Sequence, residues 1–377
     1  MLNLFFVLIL SAFILTLLVV VHEFGHFLAA KRSGLKVEEF GIGYPPRIFG
    51  KKIGETFYSI NLIPFGGFVK IYGENSSKEL LKDKRSFYAQ PPKTKAKVIL
   101  AGIIANIILA VFLLYIFLFA HNFSSYQTLL FDYHFPFGRQ EILPVVLMVT
   151  PDSPAEQAGI RPYDVILSLN GERLKKVDDF ISYVKKHAGE KITIQTKNLI
   201  NNKEREIEVI PRKEYPENQG PLGVGVAGTI KIEYQKPIEK IFSGFLHTFN
   251  LIHYSFSALG YFVKQSFAQR TIEPLESSVA GFVGIIAMIK ITVQAGFWQL
   301  LNLVALISLG LAMVNILPIP GADGGRMVFV IYEALFKKPF PPKLEQKVNE
   351  FGLAFIIILL ILITFKDIRQ FKDIIFH

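Results

Sequence analysis

The run Thr16-Leu17-Leu18-Val19-Val20-Val21-His22-Glu23-Phe24-Gly25-His26 passes abruptly from hydrocarbon to chemistry, and the reading of the whole chain turns on it. Met1 to Val21 contains no charged residue. A helix of about 20 apolar residues crosses the roughly 30 Å hydrocarbon core of a bilayer. A cleaved signal peptide is the competing reading, but a basic n-region is missing and no A-x-A-like cleavage site follows. Instead come two histidines four apart, which share one helix face and can ligate one ion. Glu23 then stands where it can act as general base toward a metal-bound water, which is the mechanical content of H-E-x-x-H. Two interfacial histidines placed by chance are the bland alternative. An ionisable cluster closing a charge-free helix is costly, and that favours the metal site.

A tetrahedral catalytic zinc takes three protein ligands and keeps the fourth position open. The distant candidate is Asp323, in Asn315-Ile-Leu-Pro318-Ile-Pro320-Gly321-Ala322-Asp323-Gly324-Gly325. These Pro and Gly residues break an apolar helix, and irregular backbone at membrane depth must face protein or a wet cavity. Asp323 is either a metal ligand or a solvated residue of a helix-ending turn. Asn315 either donates to a developing oxyanion or makes an interhelical hydrogen bond.

Of the 377 residues, 51% are hydrophobic, which is too many for an ordinary soluble protein and calls for several membrane spans. After the first span, the segments Val98 to about Ala120, Phe297 to Leu317 and Phe351 to Phe365 are read as the second, third and fourth. The last is short and has to borrow flanking residues. The net charge of +10 gathers its Lys and Arg between Lys31 and Lys97, the signature of a cytoplasmic loop. That distribution reports topology and leaves no basic stripe for nucleic acid. Cysteine is absent, which excludes disulfides and thiolate ligands.

For Asp323 to meet the HEFGH motif, an even number of crossings must separate them. Ile241 to Phe262 therefore reads as an interfacial or packed amphipathic helix and not as an extra span. Four spans then put both termini and the soluble segment outside. Thr56 to Tyr72 is rich in aromatic and β-branched residues around Pro64-Phe65-Gly66-Gly67, and reads as a β-hairpin dipping into the bilayer. Leu143 to Arg212 has the composition of a small α+β domain, with Asn170-Gly171 as a turn.

In order along the chain, these motifs resemble the site-2 protease family of intramembrane zinc metalloproteases, of the bacterial regulated-intramembrane-proteolysis type with one PDZ domain. The resemblance also rests on Gly66-Gly67-Phe68-Val69-Lys70, on the Ala101 to Asn106 run, and on the PDZ-like stretch Thr150 to Ile166. It implies one Zn2+ per chain held by His22, His26 and Asp323, with Glu23 as base and Asn315 assisting. It further implies that Gly66, Gly67, Phe68 and Val69 offer a strand edge to an unwound substrate. Ala322, Ile103, Phe282 and Tyr163 depart from the family pattern, all outside the ligand set.

The expected fold is a mainly α-helical polytopic membrane protein, with about four transmembrane helices, a membrane-associated β-hairpin and an inserted PDZ-like domain. Its expected divisions are 1–120 (first membrane region), 121–230 (PDZ-like, extracytoplasmic), 231–295 (linking helices) and 296–377 (second membrane region). The expected activity is endopeptidase cleavage of single-span membrane proteins, such as anti-sigma factors or signal-peptide remnants, in a bacterial cytoplasmic membrane. The partners are such substrates and the lipid bilayer, without nucleic acid. The PDZ-like domain serves either as a size-excluding cap or to capture a peptide terminus. A non-catalytic PDZ adaptor and a metal transporter are the rivals, and the intact Glu of the motif disfavours both.

Overall fold

The computed structural model describes residues 4–74, 83–174, 176–201, 203–216, 219–273 and 280–376, and in it the apolar run and the HEFGH motif form one unbroken helix, α1 (Leu4–Arg32). Its 29 residues reach about 43 Å at 1.5 Å each, more than a hydrocarbon core requires. Lys31 and Arg32 occupy the last turn, where their charge complements the helix dipole. Gly34, at φ 76°, and a Leu35 N–H to Ala30 carbonyl bond of 3.0 Å stop the helix.

Strands β1 (Val37–Ile53) and β2 (Thr56–Ile71) follow, joined through Gly54 at φ 61°. The register pairs Val37 with Ile71, Phe40 with Val69 and Ile42 with Gly67, and farther along Gly50 with Ser59 and Ile53 with Thr56. Glu39–Ile42 also lie beside Phe57–Ile60. The hairpin expected within Thr56–Tyr72 is therefore built differently, because its two halves flank β1 and do not pair with each other. The Pro64-Phe65-Gly66 corner carries β2 from one side of β1 to the other. Gly41, Gly43, Pro45 and Pro46 break the alternation that marks a strand, so β1 was not legible as one.

Helix α2 (Pro92–Ala120) opens on a proline, which suits a first turn whose N–H would be unpaired anyway. Near the other end of the chain lie α7 (Phe282–Ala295), α8 (Phe297–Ile316), α9 (Asp323–Phe336) and α10 (Pro342–Phe376). Among the described residues, α1, α2, α8 and Lys343–Phe371 of α10 are long and apolar enough to cross a membrane. These four fit a polytopic membrane protein. The last span extends beyond Phe351–Phe365 on both sides, supplying the length that the bare apolar run lacked. The short α7 lies within 231–295, the stretch expected to hold linking helices. Asp367 of α10 accepts hydrogen bonds of 2.8 Å from the Gly281 and Gly284 N–H groups, satisfying donors at the start of α7.

Two compact units divide the chain. The first comprises 1–114, 261–294 and 300–377, and contains most of the residues of the helices named above with the β1–β2 sheet. Val7, Ile14 and Leu18 of α1 pack with Ile286 and Ile289 of α7 in one of its cores.

The second unit comprises 115–260 and 295–299. Its strands are β3 (Ser124–Thr128), β4 (Arg139–Val149), β5 (Asp164–Leu169), β6 (Glu172–Arg173), β7 (Ile192–Asn198), β8 (Glu204–Val209) and β9 (Val224–Glu233). They form an antiparallel sheet in the order β3-β9-β4-β5-β7-β8, with β6 paired to β5. Asn170 and Gly171 both take positive φ at the β5–β6 turn, as the Asn-Gly pair predicts. Helices α3 (Pro154–Gln157) and α4 (Val177–Lys186) bring Ala155, Phe180 and Val184 to a core with Val146, Ile166 and Ile194. Strands β3 and β9 lie outside Leu143–Arg212, the stretch with soluble-domain composition, and β3 and most of β9 fall within the expected 121–230 division.

Helix α5 (Pro237–Ile241) leads into α6 (Ser243–Gln269). The buried side of α6 in this unit is polar. Asn250 donates to the Phe137 carbonyl (2.8 Å) and accepts from its N–H (3.0 Å), and Tyr234 Oη lies 3.1 Å from His247 Nδ1. A helix that satisfies these groups against a sheet gains nothing by facing lipid, and α6 is not among the helices apolar enough to span.

Candidate metal centre

Four-residue spacing on α1 sets His22 and His26 on one buried face, with ring centroids 4.7 Å apart and nearly perpendicular. The Pro-Gly break between α8 and α9 brings Asp323 to meet them as the first residue of α9. His22 Nε2 and His26 Nε2 are 3.1 Å apart, and Asp323 Oδ2 lies 3.0 Å from the first and 3.2 Å from the second. Four ligands placed tetrahedrally about a zinc at 2.0–2.1 Å are about 3.3 Å from one another. The triangle is within a few tenths of an ångström of that spacing. Asp323 Oδ2 is buried with no hydrogen-bond donor despite these neighbours. Three lone-pair atoms so arranged repel one another unless a cation lies between them. The donor set therefore fits a divalent zinc ion.

The surroundings orient the rings. His26 Nδ1–H donates to the Val98 carbonyl of α2 (2.8 Å), an assignment that leaves the Nε2 lone pair facing inward. His22 Nδ1 faces the side-chain amide of Asn106 at 3.5 Å, while Asn106 Oδ1 is buried without a partner. Turning that amide over would give His22 Nδ1–H an acceptor and Oδ1 a donor. The Asn106 carbonyl in turn accepts from Ser308 of α8 (2.9 Å). Space is kept by glycine. A Cβ on Gly102 would lie 2.3 Å from His26 Nε2, and one on Gly25 would lie 2.3 Å from the Ala101 carbonyl oxygen. Neither Asn106 nor Gly102 had been assigned a role from sequence. Their importance comes from the close approach of α1 and α2, and the only sequence signal was their place in the Ala101–Asn106 run.

A cavity of about 310 Å³ adjoins this face, lined by Glu23, His26 and Asp323 together with Gly67, Phe68 and Val69 of β2. Glu23 Oε2 accepts from the Val69 N–H (3.1 Å), so the base candidate and the strand edge touch. Gly66 does not line the cavity. Its φ of 132° and its packing under the Tyr44 ring shape the corner of β2 instead. Arg326, one turn into α9, pairs with Glu74 in the same wall. Asn315 sits half-buried in the last turn of α8 and is not among the residues lining the cavity. The break in the backbone from Leu317 to Ala322, and not a continuous helix, separates it from Asp323.

Residues 10–359 match a family model described as Peptidase family M50. A protein of Clostridium perfringens, by its provisional name a zinc metalloprotease, is 32% identical over 353 residues, covering 93% of this chain and 95% of that one. A similarly named protein of Nostoc is 31% identical over 370 residues, with 95% and 94% covered. The zinc metalloprotease RasP of Geobacillus kaustophilus is 25% identical over 430 residues, with 94% and 96% covered.

Proposed function

The chain belongs to peptidase family M50, and from that premise we propose that it hydrolyses peptide bonds within the membrane-spanning segments of single-span proteins. It is a zinc metallopeptidase. The convergence of His22, His26 and Asp323 on one point, beside Glu23 and a strand edge, is the observation that carries the finer reading. In it these three residues hold one zinc ion. A zinc ion so held would supply Lewis-acid polarisation of a scissile carbonyl and lower the pKa of water toward about 7.

The protein's own groups do the rest. Glu23 takes a proton from the attacking water and delivers one to the leaving amine. Its hydrogen bond from Val69 orients the carboxylate before substrate arrives. A helical substrate hides its carbonyls in internal bonds and must unwind; Gly67 to Val69 then hold the extended form by strand addition. Asn315, from the end of α8, assists the substrate or the developing oxyanion once the site closes around it. The hydrocarbon-facing helices exclude bulk water, so a charge developing here is stabilised more strongly than in solution.

Orientation follows from the loop between α1 and α2. Its excess of Lys and Arg favours the cytoplasmic side, which puts the metal site near that face of a bacterial cytoplasmic membrane. The sheet unit then lies outside as the PDZ-like module. Exposed Phe242, Phe245, Phe249 and Phe256 on α5–α6 support contact of that unit with the membrane surface. Substrates of the kind already trimmed outside, anti-sigma factors or signal-peptide remnants, suit a site buried at membrane depth.

The test is Glu23→Gln in the full-length protein, reconstituted with a single-span model substrate. Cleavage should fall by at least about 100-fold, while zinc stays near one per chain. Cleavage by Glu23→Gln at the wild-type rate would remove Glu23 as base and with it this mechanism.

A further inference from the structure

One wall of the catalytic cavity is an ion pair that the hydrolysis just described does not use. Arg326 Nη1 contacts Glu74 Oε1. Arg326 follows Asp323 by three residues, so both lie on one face of α9. Glu74 lies three residues past the end of β2 and is anchored there by its own N–H, which donates to the Ile71 carbonyl (3.2 Å). Both residues also line a second cavity of about 440 Å³ that shares this wall. The strand is thus tied twice to the catalytic apparatus. Val69 is bonded to Glu23 of α1, and Glu74 to the helix that begins with Asp323.

We propose that the Glu74–Arg326 pair is a positioning clamp, setting the substrate strand carried by β2 in register against the metal-bearing start of α9. The inference rests on the strand-addition reading above. Carbonyls pointing the same way along an extended chain repeat about every 6.6–7 Å, and the neighbouring peptide bond is only about 3.3 Å away. Selecting one bond therefore requires β2 and Asp323 to keep their separation to well under that distance. A misplacement of about 1 Å already costs on the order of 100-fold in rate. At the start of α9, Ala322 in the N-cap position offers no side-chain hydrogen bond. The pair's side chains are partly exposed, at 36% and 24%. Breaking it should loosen register without unfolding the protein.

The experiment compares full-length wild type with Glu74→Gln, Arg326→Gln and Arg326→Lys on one single-span substrate, with mass spectrometry of the product termini. Both Gln variants should lower kcat about tenfold with KM changed less than about twofold. They should spread the cuts over neighbouring bonds and keep zinc at the wild-type level. Arg326→Lys, which preserves the charge pair, should recover most of kcat and a single cut. The chain has no cysteine, so a pair introduced at Phe68 and Ala322 gives a readout independent of catalysis. Bismaleimides of graded length should bridge it over a narrow range in wild type and a broader one with Glu74→Gln. A single cut at the wild-type rate in Glu74→Gln overturns the clamp. So does loss of zinc in both Gln variants, or a Lys variant as impaired as Gln, either of which marks a merely structural pair. If wild type itself cuts nothing, the proposed function fails, and the cross-linking comparison still judges the clamp.

Discussion

Helix α1 and helix α6 both bury histidines among polar neighbours, and the consequences are opposite. On α1, His22 and His26 aim two nitrogens at the same point as the Asp323 carboxylate, an arrangement that a cation placed there relieves. On α6, His247 has the Tyr234 hydroxyl as its ring-nitrogen partner, and that hydroxyl accepts in turn from the neutral Asn250 amide. Burial there pushes the imidazole from an ordinary 6.5 down to about 4, because nothing nearby compensates a charge. The same residue type belongs to a donor set that fits a cation in one unit and is a neutral strut in the other. What separates them is whether a carboxylate from a distant part of the chain reaches the ring.

That contrast can be broken most sharply at the ligands. His22→Ala, His26→Ala and Asp323→Ala should each take bound zinc from about one per chain to well below that, with cleavage lost; metal analysis of purified protein measures it. Full zinc in Asp323→Ala would show that α9 does not complete the site. Next in size is Gly102→Ala. Its Cβ would come within 2.3 Å of His26 Nε2, so zinc affinity should drop about 10- to 100-fold, read by competition with a chromophoric chelator. An unchanged affinity would mean that α2 yields at that point.

Asn315→Ala should lower kcat about 100-fold with zinc retained, if the end of α8 closes on the substrate. A rate within twofold of wild type would leave Asn315 a packing residue, as its place outside the cavity lining permits. At His247 the expected effect is on stability and not on activity. The folded protein binds this proton less readily than the unfolded chain does, so the stability it contributes is complete above pH 6.5. It is lost as the pH falls toward 4, by up to about 3 kcal/mol. Thermal midpoints between pH 7.5 and 4.5 should therefore fall less steeply in His247→Gln than in wild type. Parallel curves would mean that His247 gains a counter-charge on acidification.

Local patterns carried much of this. The two histidines and Glu23 were legible because helical spacing makes their geometry a property of sequence alone. Asn170-Gly171 was legible because a two-residue turn demands those backbone angles. Strand β1 was hidden because its Gly and Pro residues contradict strand propensity, and only pairing on both sides with β2 overrides that. Strand β9 was hidden as a strand, since its partners β3 and β4 are roughly a hundred residues earlier in the chain. Asn106 and Gly102 matter because α1 and α2 touch, which no spacing within α2 reveals.

By itself, then, the sequence determined that an H-E-x-x-H face closes an apolar helix, that four segments are hydrophobic enough to span, and that Asp323 follows a helix break. Each is local, set by periodicity or by the backbone limits of Pro and Gly. Only the tertiary structure decided that Asp323 Oδ2 comes to 3.0 Å from His22, three hundred residues away. It alone joined Glu23 to Val69 and Glu74 to Arg326. Contacts of that kind depend on how helices and strands pack once their hydrophobic faces are buried, and packing is a property of the assembled chain, not of any segment.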